Sequence, residues 1–255
     1  MPARASAKKL GRASSPAGAD RAVRRILVTR PEPGASATAA RLQAMGFCPV
    51  VLPLTRIVAT PPAASGPCDA VIATSANALR HAPADFLAQL RARKLFAVGE
   101  ATASAARRAG FSTIAAAAGT AADLAALIGR EMPAGARLLH LAGRERTQGF
   151  EEDLAARGFT VSVVETYRAE EVACEAGFIS DRLAGAPLWG ALVFSERGGM
   201  LLSVLARRPE ASQAFEETRF FCISAKVAAQ LAGFDRRVAE TPTEEAVLAL
   251  LSSQG

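Results

Sequence analysis

The sequence of 255 residues predicts an α/β protein of two doubly wound domains, each built on a parallel β-sheet. Three observations predict this fold class. Short apolar runs that read as strands alternate with helical patterns of about 10–15 residues, as in parallel sheets that helices cover on both faces. Two kinds of strand–helix unit each occur twice along the chain. Half of the residues are apolar, which is enough for two buried cores.

One repeated unit comprises residues 99–111 and 222–234, which align without a gap and are identical at five of thirteen positions. Each copy follows a short apolar run, residues 95–98 and 219–221, that reads as a strand. Each copy then reads as a tight turn, a helix of small residues and a Gly–Phe pair. An apolar strand that ends in a serine, Ser75 or Ser195, lies upstream of each copy. Similarity over more than a single helix indicates duplication.

The other repeated unit comprises residues 26–54 and 137–167, and both copies read as strand, polar loop, helix, Gly–Phe and strand. The phenylalanines of the Gly–Phe pairs lie 112 residues apart for this unit and 123 residues apart for the first. Two interleaved pairs at a similar offset favour duplication of a whole domain over a chance match between alanine-rich helices.

Continuous apolar runs predict the strands, and capping and stop residues predict the helices. Strands are predicted at residues 26–29, 48–54, 70–73, 95–98, 137–141, 160–167 and 189–194. The clearest helix signals are an N-cap at Ser36 or Thr38 with a stop at Gly46, a helix opened by residues 74–77, and an N-cap at Thr120. The segment Thr241-Pro242-Thr243-Glu244 reads as an N-cap, a proline and then a glutamate, and opens the final helix with Thr241 as its cap. Proline and glycine between residues 53 and 67, and the polar segment 168–170, mark two connections between domains.

The net charge of +6 lies in the N-terminal tail. Residues 1–25 hold seven basic residues and one acidic residue, whereas the remainder is neutral with 23 of each. Residues 1–24 are rich in Ser, Ala and Gly and have no apolar periodicity, so we predict a disordered basic tail. The tail lacks the apolar segment of a secretory signal, although its composition also fits an organelle transit peptide. The neutral body argues against nucleic acid as a partner.

The chain has four cysteines and two histidines, without a spacing typical of a metal site. Cys48, Cys68, Cys174 and Cys222 form no CxxC pair, and free thiols favour a reducing compartment, here the cytoplasm. The longest run of small apolar residues is interrupted at residues 119–123, so no membrane span is predicted.

A hydroxyl residue or a glycine recurs at the strand-to-helix turns. In an open parallel sheet these turns meet at the carboxyl ends of the strands, where ligands bind, and free N–H groups at helix N-termini favour anions. Each turn taken singly is also explained by ordinary helix capping, but the set predicts an anion site between the domains. Its candidate residues are Thr29, Arg30, Thr74, Ser75, Asn77, Gly99, Thr102, Gly143, Arg144, Ser195, Ser224 and Thr243, with Arg146 on the same turn as Arg144.

The rare aromatic and histidine residues also have simple structural interpretations. Tyr167, the only tyrosine, ends a strand beside a predicted domain connection and is either a half-buried strand residue or part of the site. His140 is predicted to be a hydrogen-bonded core residue and Trp189 a core residue of a strand. His81 is predicted to be exposed near a helix.

Several of these segments together resemble the uroporphyrinogen-III synthase family. The resemblance covers residues 26–251, and its specificity lies in the order and spacing of motifs that are weak one by one. The motifs are LVTRP (27–31), VVLPL (50–54), ATSANAL (73–79), AVGEATA (97–103), AGRE (142–145), ETYRA (165–169), VFS (193–195) and AETPTEEAVLALL (239–251).

The resemblance implies two HemD-like domains joined by a two-stranded connection, with residues 25–54 plus 169–255 in one domain and residues 55–168 in the other. It implies a lyase that closes the linear hydroxymethylbilane to uroporphyrinogen III, with loss of water and inversion of the last pyrrole ring through a spiro intermediate. Neither a cofactor nor a metal is implied. The substrate carries eight carboxylates, which suits an anion site, and Tyr167 matches the tyrosine expected to help the hydroxyl leave. We expect a monomer.

The sequence departs from the family pattern in two places. The turn usually read as Gly-Pro-Thr-Thr is here Cys222-Ile223-Ser224-Ala225, and Ser195 is followed by Glu196 instead of proline. These departures leave open a non-catalytic two-domain protein that binds a small anion. A nucleotide-sugar transferase of two Rossmann-like domains would need an acidic residue at a strand end, and Asp69 precedes its strand instead.

Overall fold

The computed structural model describes residues 24–63, 65–146, 149–185 and 187–252, so nearly all of the predicted tail lies outside the described residues. Strands alternate with helices along the chain. The strands are β1 (Arg25–Val28), β2 (Cys48–Val51), β3 (Thr55–Ala59), β4 (Ala70–Ala73), β5 (Lys94–Ala97), β6 (Ile114–Ala116), β7 (Arg137–Gly143), β8 (Thr160–Glu171), β9 (Gly190–Val193), β10 (Arg219–Cys222) and β11 (Asp235–Val238). The helices are α1 (Gly34–Ala44), α2 (Ala76–Arg80), α3 (Ala84–Leu90), α4 (Glu100–Arg108), α5 (Ala121–Glu131), α6 (Phe150–Ala156), α7 (Ala176–Leu183), α8 (Glu196–Leu205), α9 (Pro209–Phe215), α10 (Ala225–Ala229) and α11 (Glu244–Ser252).

The strands form two sheets with the same internal order. The first sheet runs β2-β1-β9-β10-β11 and is parallel throughout. The second sheet runs β8-β7-β4-β5-β6 in parallel, with β3 added antiparallel to the outer edge of β8. The repeated units therefore occupy equivalent strands, which supports duplication, and the predicted α/β class with two parallel sheets is confirmed.

Each sheet is buried on both faces because successive strand residues point in opposite directions. In the first sheet, Leu27 belongs to one core cluster, whereas its neighbours Ile26 and Val28 belong to the cluster on the opposite face. In the second sheet, Val71 and Ile72 divide between two clusters in the same way. This two-sided burial is the reason that the strands read as continuous apolar runs.

The connection between the sheets consists of two chain segments that run side by side. Strand β2 ends at Val51, three residues before its predicted end, and β8 continues to Glu171, past its predicted end at Tyr167. The extra residues of β8 pair with β3, and the backbone N–H of Val172 donates to the carbonyl of Leu54 at 3.0 Å. Strand β8 is therefore longer than predicted because its last residues pair with β3, an antiparallel strand inside the first predicted connection.

Two helix caps differ from prediction. Helix α1 begins at Gly34, and neither Ser36 nor Thr38 caps it. Instead, the carboxylate of Glu32 accepts hydrogen bonds from the backbone N–H and the hydroxyl of Ser36, at 3.0 and 2.8 Å, so an acidic side chain satisfies the first turn. In α11 the cap is Thr243, whose Oγ1 accepts from the N–H of Ala246 at 3.2 Å, because the helix begins at Glu244.

The cap predicted at Thr120 is confirmed. Its side chain accepts from the N–H of Asp123 while the carboxylate of Asp123 accepts from the N–H of Thr120, which completes a capping box.

Trp189 lies one residue before β9 and stacks between Phe47 and Phe221, with ring centroids 5.9 and 5.6 Å away. Among the described residues, no helix combines the length and apolar character needed to cross a membrane.

Candidate active site

A cavity of about 570 Å³ lies between the carboxyl ends of strands from both sheets. Turns that follow β1 and β9 form one wall, and turns that follow β4 and β7, together with β3, β8 and α4, form the other. The lining residues of the first wall are Arg30, Pro31, Glu32, Pro33, Gly34, Phe194, Ser195 and Arg197. Those of the second wall are Thr55, Ile57, Ser75, Ala76, Asn77, Arg80, Ala101, Thr102, Glu145, Tyr167 and Ala169.

Three arginines and two carboxylates face this cavity. Arg30, Arg80 and Arg197 carry fixed positive charge, while Glu32 is engaged with the first turn of α1. Glu145 joins the two walls: one carboxylate oxygen accepts from Nη1 of Arg197 at 3.0 Å and the other from the backbone N–H of Ala169 at 2.9 Å. The guanidinium groups give the cavity an excess of donors for anionic ligands.

Two serines place helix N-termini at the cavity. Ser75 caps α2 by accepting from the N–H of Asn77 at 3.2 Å, and Ser195 caps α8 by accepting from the N–H of Gly198 at 3.0 Å. Both serines have the extended backbone of an N-cap, so each is the last non-helical residue before its helix. Each cap uses a lone pair of the hydroxyl oxygen, so the O–H remains a donor that the cap does not use.

Tyr167 reaches the cavity from a bulge between β7 and β8. Ala142 pairs with Glu165, but the next residue, Gly143, pairs with Tyr167, so Thr166 is the extra residue of β8. The ring of Tyr167 lies over Gly143, where an added Cβ would meet the ring Cζ at 2.6 Å and Oη at 2.9 Å. Gly143 is therefore required for space, and it fixes where the phenol lies.

His81 was predicted to be exposed, and this is wrong. Its side chain is half-buried, and its ring centroid lies 6.2 Å from that of Tyr167. Burial, assisted by the charge of Arg80, lowers the pKa of His81. The short segment between α2 and α3 folds back on the end of β8, which a reading of local polarity does not reveal.

His140 is hydrogen-bonded at both ring nitrogens in the core, as predicted. It is 2% exposed, with Nε2 2.9 Å from Oγ1 of Thr74 and Nδ1 3.0 Å from Oε1 of Glu151. Partial burial works to raise the pKa of Glu151, but its backbone hydrogen bond, His140 and Arg146 outweigh this effect and lower the pKa. An ionised Glu151 accepts only, so Nδ1 donates to it and Nε2 of the neutral ring accepts from Thr74.

We expect part of the pH dependence of folding stability between pH 7 and 5 to come from His140. Burial lowers its pKa below the ordinary value of 6.5, against a smaller opposing effect of Glu151. The stability that the neutral ring provides is therefore complete above about pH 6.5 and is lost as the pH falls toward the folded-state pKa. One such group changes the free energy of unfolding by at most about 1.4 kcal/mol per pH unit.

Urea unfolding of the His140→Gln variant at several pH values measures this contribution. The decline in unfolding free energy below pH 6.5 should become shallower than in the parent protein. The His81→Gln variant gives the separate contribution of the other histidine, whose pKa is lowered in the same direction. An identical slope in the parent and in His140→Gln would contradict the assignment.

The cavity brings together six of the thirteen residues predicted for the site: Arg30, Ser75, Asn77, Thr102, Ser195 and Tyr167. These six come from five separate segments of the chain, and both walls of the cavity contribute. Their grouping is the geometric basis for treating the cavity as the candidate active site. Their roles toward a substrate stay predictions.

The other seven predicted residues do not line the cavity. Thr29 is buried, Gly99 precedes α4, and Gly143 lies under Tyr167. Thr74 is hydrogen-bonded to His140, and Arg144 pairs with Glu165 at 3.2 Å. The remaining two are Ser224 and Thr243, which cap α10 and α11.

Sequence reasoning missed Arg80, Arg197, Phe194 and Glu145, which line the cavity. The sequence held a usable signal for the arginines, because Arg80 lies five residues after the capping Ser75 and Arg197 lies two residues after the capping Ser195.

The turn that departs from the family pattern, residues 222–225, does not line the cavity. Burial raises the pKa of Cys222 to about 11, as for a thiol in the core.

Within the described residues, no group of three or more His, Cys, Asp or Glu is placed to hold a metal ion. Asp69, considered above for a transferase, lies at the amino end of β4 and pairs with Arg137 at 2.9 Å. This hydrogen bond lowers the pKa of Asp69 to about 2. The carboxylate is thus committed to an ion pair and does not line the cavity.

The fold and the cavity define a class of protein: a duplicated, two-sheet α/β protein whose two halves enclose a cleft of arginines, hydroxyl groups and one tyrosine. The family model for uroporphyrinogen-III synthase HemD matches residues 36–249. The chain belongs to this family, and membership implies an enzyme. The family assignment supports the synthase interpretation and gives no support to a binding protein without activity.

Solved structures of the family share the fold. The uroporphyrinogen-III synthetase of Helicobacter pylori has a TM-score of 0.60 and 18% sequence identity, over 91% of this chain and all of the other. A mutant uroporphyrinogen III synthase of the extremely thermophilic bacterium Thermus thermophilus has a TM-score of 0.50 and 17% identity, over 90% of this chain and 98% of the other. A comparison with curated protein sequences gives no match.

Proposed function

We propose that this protein is a cyclising hydro-lyase that converts hydroxymethylbilane to uroporphyrinogen III in tetrapyrrole and haem biosynthesis. The observation that carries the proposal is the family match over residues 36–249, which includes the whole second sheet and every strand of the first sheet except β1. The cavity supports it because arginines and helix N-termini suit a substrate with eight carboxylates.

The proposed roles divide between binding and chemistry. Arg30, Arg80 and Arg197 bind substrate carboxylates, while Ser75 and Ser195 donate from the ends of their helices. Tyr167 donates a hydrogen bond to the hydroxyl of the terminal hydroxymethyl group. As that hydroxyl takes up a proton, its C–O bond breaks, the bonding pair leaves with oxygen as water, and the lone pair of the attached pyrrole's nitrogen is drawn into a new double bond to the exposed carbon.

The last pyrrole ring attacks this exposed carbon through its substituted α-carbon and forms a spiro intermediate. The bond from that α-carbon to its original bridge carbon then breaks, and the bridge carbon bonds to the free α-carbon of the same ring, which is thereby inverted. The proton lost from that free α-carbon balances the proton taken up when water left.

The two sheets are proposed to be the cores of two domains, residues 25–54 with 169–255 and residues 55–168. The identical strand order of the sheets supports this division, although the end of β8 pairs within the second sheet. A monomer is proposed because one chain supplies both walls of the cavity. A cytoplasmic location is proposed because all four cysteines are free, as in a reducing compartment.

Incubation with hydroxymethylbilane followed by separation of the product isomers tests the function. The linear bilane closes spontaneously to isomer I, so we expect isomer III to form in excess of that background in proportion to enzyme concentration. Binding of the bilane without any gain of isomer III would contradict the proposal and would favour a non-catalytic binding protein.

A further inference from the structure

Arg30 is the cavity arginine that the rest of the chain holds most firmly. Its Nη1 donates to Oγ1 of Thr38 at 3.2 Å and to Oε2 of Glu244 at 3.1 Å. The guanidinium carbon lies 4.5 Å from the centroid of the Phe194 ring, which is a cation–π arrangement. Groups from α1, from α11 and from the end of β9 therefore converge on one side chain of the cavity wall.

Glu244 is itself fixed in this arrangement. Its Oε1 accepts from Oγ1 of Thr38 at 2.7 Å, so Arg30, Thr38 and Glu244 form a closed ring of hydrogen bonds. Thr38 is fully buried, and the side chains of Arg30 and Glu244 are only 31% and 24% exposed. Glu244 is the first residue of α11, where the helix dipole favours a carboxylate.

Gly34 provides the space in which the guanidinium lies. A Cβ added at Gly34 would sit 2.7 Å from Nε of Arg30 and 3.1 Å from its Cζ. Within the part of the chain that the structure describes, Nε and Nη2 of Arg30 donate no hydrogen bond to a protein acceptor. Thr38 and Glu244 therefore occupy only Nη1 of the guanidinium. The N–H groups of Nε and Nη2 stay available as hydrogen-bond donors on a residue that lines the cavity.

We propose that Glu244 is a positioning residue for substrate binding: it holds the guanidinium of Arg30 against Phe194 so that the open donors meet a carboxylate of the substrate. This inference rests on the proposed function. A free arginine side chain loses much rotamer freedom when it is ordered by a ligand. An arginine that is ordered beforehand avoids that loss, so Glu244 strengthens binding without touching the substrate.

The test compares Glu244→Gln with Glu245→Gln. Both variants remove one negative charge from the first turn of α11, and both carboxylates lie near Arg41, at 3.6 Å for Glu244 and 3.1 Å for Glu245. Glu245 differs in being 73% exposed, and only Glu244 is hydrogen-bonded to Arg30 among the described contacts. We expect Glu244→Gln to raise KM for hydroxymethylbilane about 3- to 10-fold, the range expected for ordering one long side chain. Turnover at saturation should change less than about twofold, because uniform binding affects KM alone. Glu245→Gln should match the parent.

A double-mutant cycle shows whether Glu244 acts through Arg30. In an Arg30→Ala background, Glu244→Gln should raise KM no further, because the group that it positions is gone. An equal rise in both backgrounds, or an equal rise in Glu245→Gln, would overturn the inference. Thermal unfolding of each variant confirms that the folded protein is being compared.

Direct binding separates this inference from the proposed function. The dissociation constant of uroporphyrin III, an octacarboxylate, is measured for the same variants by fluorescence titration. If isomer III forms but KM and this dissociation constant are unchanged in Glu244→Gln, the positioning role fails alone. If no isomer III forms but uroporphyrin III binds more weakly to Glu244→Gln than to Glu245→Gln, the proposed function fails and the positioning role stands. A parent protein that neither converts the bilane nor binds uroporphyrin III overturns both.

Discussion

We expect the Tyr167→Phe variant to lose about 10- to 100-fold in turnover, to retain nearly the parent KM, and to release a larger share of isomer I. A phenol hydroxyl donates hydrogen bonds, and a hydrogen bond to the departing hydroxyl assists the loss of water. Positioned acid groups contribute about 10²- to 10⁴-fold, and we expect a value at the low end because the pyrroles of the substrate drive much of the reaction.

The substitution removes one oxygen atom and keeps the ring that lies over Gly143. Since the chain has a single tyrosine, the absence of tyrosine in amino-acid analysis verifies the variant. The Tyr167→Phe protein should unfold at nearly the same temperature as the parent. Parent turnover and isomer ratio in this variant would reduce Tyr167 to a packing residue and leave catalysis to conformational control of the bilane.

We expect Gly143→Ala to lower turnover by about 10- to 100-fold through a different physical cause, a displacement of the phenol by roughly 1 Å. The new methyl group would lie 2.6 Å from Cζ of Tyr167, closer than non-bonded carbon atoms approach. The end of the tyrosine ring is the part that can move. Overpacking in this buried strand should also cost about 1–3 kcal/mol of unfolding free energy.

Gly129→Ala is the matched control. Gly129 lies inside α5, and an added Cβ would have only Nη1 of Arg157 at 3.9 Å, an ordinary contact. We expect this variant to gain about 0.5–1 kcal/mol of stability, because alanine is the better helix residue, and to keep full activity. In a Tyr167→Phe background, Gly143→Ala should lower turnover little further. Full activity of Gly143→Ala would show that the phenol position is not critical.

Local sequence determines the central strands because burial on both faces leaves an unmistakable apolar run. The strand predicted at residues 70–73 matches β4 in full, and those predicted at 26–29 and 95–98 match β1 and β5 to within one residue. The three strands that lack a prediction are β3, β6 and β11, each at a sheet edge. An edge strand such as β11 has the sequence DRRV and is mostly exposed, so it carries no apolar signal.

The sequence predicted a site at the strand-to-helix turns, but it did not predict which of the turn residues line the cavity. Strand-to-helix turns with hydroxyl residues identified Ser75 and Ser195, because the cap that starts a helix is written in consecutive residues. The same reasoning included Ser224 and Thr243, which cap the N-termini of α10 and α11 but do not line the cavity. Capping chemistry identifies a helix N-terminus, whereas only the arrangement of the strands decides which N-termini meet.

By itself, then, the sequence determined the duplicated α/β fold, the family and the candidate tyrosine, since each depends on local pattern or on the order of motifs. The tertiary structure alone decided the contacts that shape the cavity. Glu244 reaches Arg30 across 214 residues of sequence, and Arg197 reaches Glu145 across 52. Gly143 makes room for Tyr167 only because a bulge aligns the two strands in that register. Such contacts depend on the distance and direction between elements, and no local periodicity or propensity carries that information.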